Sequence, residues 1–210
     1  MIKRYTLAIS LLLGFLVNNQ AQSNALVKGT WFTPAALLEQ SFEWQAQWIW
    51  LDEKTESNVL LARQSFDLTQ AEFIAGTMAS LRITASTHYQ LYVNGQYIAQ
   101  GPARSAPHHQ SFDIWEIQAL LQAGKNTIAV RVHHQQGKFA YHLIGRAGLL
   151  VQLDLSNGNE PGKTIVSDSS WKVAPDPSWD KEAPKISRFQ LVVGDRVDLR
   201  KQIKGWNKTD

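Results

Sequence analysis

From Trp44 onward, apolar and polar residues alternate with a period of two. Residues 62–68 (Ala-Arg-Gln-Ser-Phe-Asp-Leu) alternate until they meet a polar stretch, and residues 79–85 place Leu81, Ile83 and Ala85 on one face. Successive side chains of a strand point to opposite faces, so this pattern predicts half-buried strands. Residues 89–93 and 96–99 flank Asn94-Gly95. Asn-Gly between two β-prone runs predicts a two-residue hairpin, because both turn positions need positive φ. A second turn at residues 123–126 leads into a strand over 127–132. Residues 148–155 form another apolar run, closed by the turn residues 156–159. Residues 164–166 and 171–173 flank the polar stretch 167–170.

About eight short strands with little helical periodicity predict an all-β, antiparallel β-sandwich rather than a parallel α/β sheet. A helical turn is predicted over residues 114–121. A short helix capped by Thr33, with Pro34 at its first position, is predicted within residues 26–40. Beyond Trp171, Pro175, Pro177 and Pro184 predict a surface connection, with short strands over 191–193 and 197–199. The organisation read from these patterns is a leader over residues 1–25, a linker over 26–43, a sandwich domain over 44–174 and a Pro-rich segment over 175–210. No internal repeat or low-complexity tract interrupts it.

The leader rests on charge and length. Lys3-Arg4 precede an apolar run of about 11 residues, 7–17, broken only by Ser10 and Gly14. That run is too short to span a bilayer, which takes ~20 residues, and fits an export signal cleaved after Ala21 or Ala25. An exported product, periplasmic or extracellular, is the expectation. No later segment is long and apolar enough to cross a membrane. The absence of cysteine excludes a lipid-modified anchor, a disulfide framework and thiolate metal sites. Removing Lys3 and Arg4 lowers the net charge from +3 to +1, and no run of basic residues suggests a nucleic-acid partner. Eight tryptophans serve either as core filler, the reading preferred for any one of them, or as platforms for sugar rings.

Several segments in order carry a resemblance. They are Trp48-Ile49-Trp50, Ala62-Arg63-Gln64-Ser65-Phe66, Leu91-Tyr92-Val93-Asn94-Gly95, Gly101-Pro102-Ala103-Arg104-Ser105, residues 124–130 and residues 168–173. Together they resemble the N-terminal β-sandwich of bacterial α-L-rhamnosidases, glycoside hydrolase family 78, over about residues 44–206. The resemblance implies a galactose-binding-like jelly roll. It also implies a catalytic (α/α)6 barrel several hundred residues downstream as a partner, and a rhamnose-containing glycan as a ligand. Since Gly205-Trp206 is followed by only four residues, a truncated chain or fragment is the expectation. The chain is then a non-catalytic accessory sandwich. A free-standing carbohydrate-binding module and a remnant without function are the alternatives.

Glycoside hydrolysis needs paired carboxylates roughly 5–9.5 Å apart. The acids here are scattered, and no catalytic residue is assigned. Asp113 and Glu116 are read as a helix start and a solvated charge. No Gly-x-Ser-x-Gly elbow or phosphate loop is present. His108-His109 and His133-His134 raise a metal site, but adjacent strand residues face opposite sides, so each pair offers one ligand to a given site. They are read as hydrogen-bonded loop histidines, with no metal. No calcium-binding pattern is seen, although the resemblance includes modules that bind sugar through calcium. Loops on a rigid sandwich are where ligand contacts collect. The candidate binding residues are therefore Arg104, His108, His109 and Asp113 in the loop 101–113, and His133, His134 and Tyr141 in the loop 133–142. Tyr141 is cast as a stacking platform and Arg104 as a donor to hydroxyls.

Overall fold

The period-two runs become two antiparallel sheets. A computed structural model describes residues 43–209 apart from 74–76, 107, 136–144, 158–159, 181–182 and 184–194. The expected leader, the helix near Thr33, the strand over 191–193 and Tyr141 lie outside the described residues. In chain order the strands are β1 Val59–Leu68, β2 Thr77–Ala85, β3 His88–Val93, β4 Gln96–Gly101 and β5 Asp113–Glu116. They continue with β6 Gly124–His133, β7 Leu149–Asn157, β8 Glu160–Val166 and β9 Lys172–Pro175. One sheet runs β4-β3-β6-β1-β9 and the other β5-β2-β7-β8. Among the described residues, helix is limited to two 3-10 turns, Gln118–Leu120 and Leu199–Lys201, and no helix is long and apolar enough to cross a membrane.

Alternate positions on strands of both sheets supply one core. Leu60, Ala62, Phe66 and Leu68 of β1 meet Leu81, Ile83 and Ala85 of β2, Leu91 and Val93 of β3, Ile128, Val130 and Val132 of β6, and Val151, Leu153 and Leu155 of β7. At ~25 cal/mol per Å² of apolar surface removed from water, this shared layer is the main favourable contribution to folding. Pro175, which has no N–H to donate, sits at the end of β9, an edge strand where a missing ladder bond is tolerated.

The Asn-Gly turn is observed as expected. Val93 pairs with Gln96, leaving a two-residue loop in which Asn94 and Gly95 have φ of 50° and 83°. Residues 114–121 differ from the expectation. In place of a helical turn, residues 113–116 are strand β5, paired along β2, and only Gln118–Leu120 winds. The cause is burial: Ile117 is fully enclosed and Leu121 nearly so, and pairing with β2 satisfies the backbone on the way to them. Asp113 and Glu116 therefore lie on a strand and share no helical face.

The outer face of the five-stranded sheet is covered by the later part of the chain. Trp206 is buried there against Leu61 and Ala129, with Tyr92 edge-on to its ring at 5.3 Å. Arg131 of β6 lies 5.5 Å from the Trp206 ring and 3.0 Å from the enclosed carboxylate of Asp176. Asp176 also accepts from the backbone N–H of Ser178 at 3.0 Å and from its hydroxyl at 2.6 Å. The Arg131 Nε–H does not point along the line to Asp176, so that contact is an ion pair rather than an aligned hydrogen bond.

Candidate functional site

A cleft of about 1030 Å³ opens at one end of the sandwich. Four segments converge on it: the stretch before β1, the β2–β3 turn, the loop after β4 and the approach to β7. Each is held by bonds that the local sequence supplies. Ile49 and Leu149 exchange backbone hydrogen bonds at 2.9 Å in both directions. Gln47 donates its N–H to the Ser167 carbonyl at 2.7 Å and accepts the Ser167 hydroxyl at 2.7 Å. This pins residues 47–49 beside β7 and lays Trp48 over Gly148. A side chain at 148 would come within 2.6 Å of the Trp48 ring, so glycine leaves the room that the indole occupies there. Trp48 is 52% exposed.

The loop after β4 is braced from β2. The Gln110 side-chain amide donates to the Ala85 carbonyl at 2.7 Å, and the Thr84 hydroxyl donates to the Ser111 carbonyl at 2.6 Å. Ser111 N–H donates to the Ser105 hydroxyl at 2.9 Å, and His109 N–H to the Ala106 carbonyl at 2.9 Å. The third wall follows from Ser86, whose N–H donates to the Gly148 carbonyl at 2.9 Å.

The residues singled out from sequence separate on this frame. Arg104 and His108 line the cleft. His109, next along, is exposed but contributes no lining. Asp113, expected in a ligand-facing loop, is on β5 and accepts a short hydrogen bond from the buried Tyr89 hydroxyl, which in turn accepts from Trp115 Nε1 at 3.0 Å. Burial raises the Asp113 carboxyl above the ordinary carboxylate range, partly offset by the Tyr89 bond. Gly101 makes this contact possible, since a Cβ there would overlap the Asp113 carboxylate.

The neighbouring histidines diverge as strand geometry requires. His134, just past β6, is buried; its Nδ1 lies 2.9 Å from the Ser86 hydroxyl and its ring sits edge-on to Trp50 at 5.9 Å. It braces the cleft wall from behind rather than facing a ligand. His133 turns to the outer face of the five-stranded sheet, 4.7 Å from the Trp179 ring and 3.9 Å from Asp195, and opposite His88 in register. Burial lowers the pKa values of both His133 and His88; Asp195 opposes the shift. Trp48, Trp50, Ser86 and Arg146 line the cleft but were not singled out as ligand contacts. The pairing of Trp48 with a glycine 100 residues later leaves no local signature.

Chemically the cleft can stack a ring on Trp48 and donate hydrogen bonds from Arg104, Arg146 and Gln110. Its described lining contains no carboxylate, so it offers no acid–base pair for glycoside hydrolysis. No cluster of three or more His, Asp or Glu suited to a metal occurs among the described residues.

The sequence pattern of the α-L-rhamnosidase N-terminal domain matches residues 76–210. A glycoside hydrolase family 78 rhamnosidase of Bacillus sp. GL1 superposes with a TM-score of 0.69 at 29% identity, over 80% of this chain and 17% of that one. The α-L-rhamnosidase from Dictyoglumus thermophilum gives 0.63 at 23% identity, over 80% and 20%. The α-L-rhamnosidase from Aspergillus terreus gives 0.55 at 22%, over 75% and 18%. The last two likenesses show the fold alone. The chain thus spans a fifth or less of the length of these enzymes. No relative was found among curated proteins.

Proposed function

The chain belongs to the α-L-rhamnosidase N-terminal domain family, and from that premise we propose that it is the non-catalytic accessory sandwich of a rhamnoside-cleaving glycoside hydrolase. In this role it supports a catalytic domain and holds rhamnose-containing glycan in the loop-end cleft. The observation that carries the reading is the cleft itself: an exposed indole packed against Gly148, with guanidinium and amide donors in the same lining. Sugar rings present apolar C–H faces to such a ring and hydroxyls to such donors. The facing sheets of five and four antiparallel strands support a galactose-binding-like jelly roll. The basic, then apolar, first residues support export. We assign no metal to the cleft.

Affinity electrophoresis through a gel containing a rhamnose-rich polysaccharide tests the reading, alongside an assay on an aryl rhamnoside. Retardation without turnover is expected. Turnover by the chain alone would refute the accessory role, and unretarded migration through a panel of rhamnosyl glycans would refute the glycan contact.

A further inference from the structure

The cleft's described lining carries the guanidinium groups of Arg104 and Arg146 and no Asp or Glu. The asymmetry extends along the chain. No acid occurs between Glu72 and Asp113, nor between Glu116 and Asp154. At the chain's average of 18 acids in 210 residues, those two runs would hold about seven. The loop after β4 and the approach to β7, which both line the cleft, lie inside these runs. Asp113, which follows the β4 loop, is held by Tyr89.

A concave site lined by one sign of charge raises the local concentration of the opposite ion. Guanidinium groups add geometry, because their planar fork matches the two oxygens of a carboxylate. An uncharged glycan gives no reason for a wall without acids, since carboxylates are good acceptors for sugar hydroxyls. We infer that the cleft is selective for acidic glycan, with a uronate carboxylate at Arg104 and Arg146 and a neighbouring pyranose on Trp48. This inference rests on the proposed glycan contact and narrows it to a ligand class.

The test is calorimetric titration of the full chain with a polysaccharide of alternating rhamnosyl and uronosyl residues, and with the same polymer after reduction of its carboxyl groups to alcohols. The native polymer should bind about tenfold tighter or more, as expected when a charge-assisted hydrogen bond is lost. The preference should shrink with added salt and disappear in R104Q/R146Q. Arg104 also has a partner within the chain, so circular dichroism must show the double variant folded. If it is not folded, R146Q alone, at an exposed position, decides by narrowing the preference. Equal binding of both polymers would overturn the acidic preference and leave the glycan contact standing. Binding of neither would overturn both.

Discussion

At the hairpin turn, one side chain meets two demands. Asn94 adopts the positive φ that the turn needs, and its carbonyl oxygen accepts from Thr127 N–H at 2.8 Å and from the Thr209 hydroxyl at 3.2 Å. Its amide donates to the Leu120 carbonyl at 2.9 Å and to Asn126 Oδ1 at 3.0 Å. It therefore ties the β3–β4 hairpin to β6, to the 3-10 turn and to the chain's last residues. Asn94→Ala loses these bonds and strains the left-handed backbone, so a cost of about 2–4 kcal/mol is expected. Asn94→Gly, which keeps the φ freely, should cost less. Urea unfolding of both variants checks the order. The turn was legible in sequence because Asn-Gly is a local signal. The network was not, because its partners lie 26 to 115 residues away in the chain. Trp48 was hidden for the same reason, since the glycine it packs against lies 100 residues later in the chain.

At the level of elements, strands were readable wherever one face was buried, and the short strand β5 was misread because four residues carry too little periodicity to outweigh a helical alternative. The rule that adjacent strand residues face opposite ways separates His133 from His134. His133 and His88 lie on the covered outer face with depressed pKa values, burial being the main cause. A base whose folded pKa is lowered binds fewer protons folded than unfolded. Its contribution is thus complete above the ordinary histidine value of 6.5 and is lost as pH falls through the folded pKa. Acidification from pH 7 to about 5 should lower the urea midpoint, and His133→Gln should reduce that loss. An equal loss in the variant would remove His133 from the account. On the same face, Arg131→Met would leave Asp176 enclosed without its cation. The expected cost is about 3–5 kcal/mol, read by the same unfolding measurement.

For the whole molecule, composition and order of motifs indicated the all-β class and the family, because these depend on many residues at once. The cleft depends on which loops meet at one end, and that follows from sheet order, which no local pattern carries. Thus Arg104 and His108 meet in the cleft, while Asp113 and His134 serve the walls behind it. Export is checked by N-terminal sequencing of the secreted product, expected to begin at Gln22 or Leu26; an intact Met1 on secreted protein would contradict cleavage. The central claim, that the cleft holds glycan on an exposed indole, is tested most directly by Trp48→Ala. Its dissociation constant for a rhamnosyl polysaccharide is to be compared with that of Met78→Ala, an exposed change on β2 outside the cleft lining. The account predicts that Trp48→Ala, with an unchanged melting temperature, weakens binding about tenfold or more while Met78→Ala matches the wild type; undiminished binding by folded Trp48→Ala would contradict it.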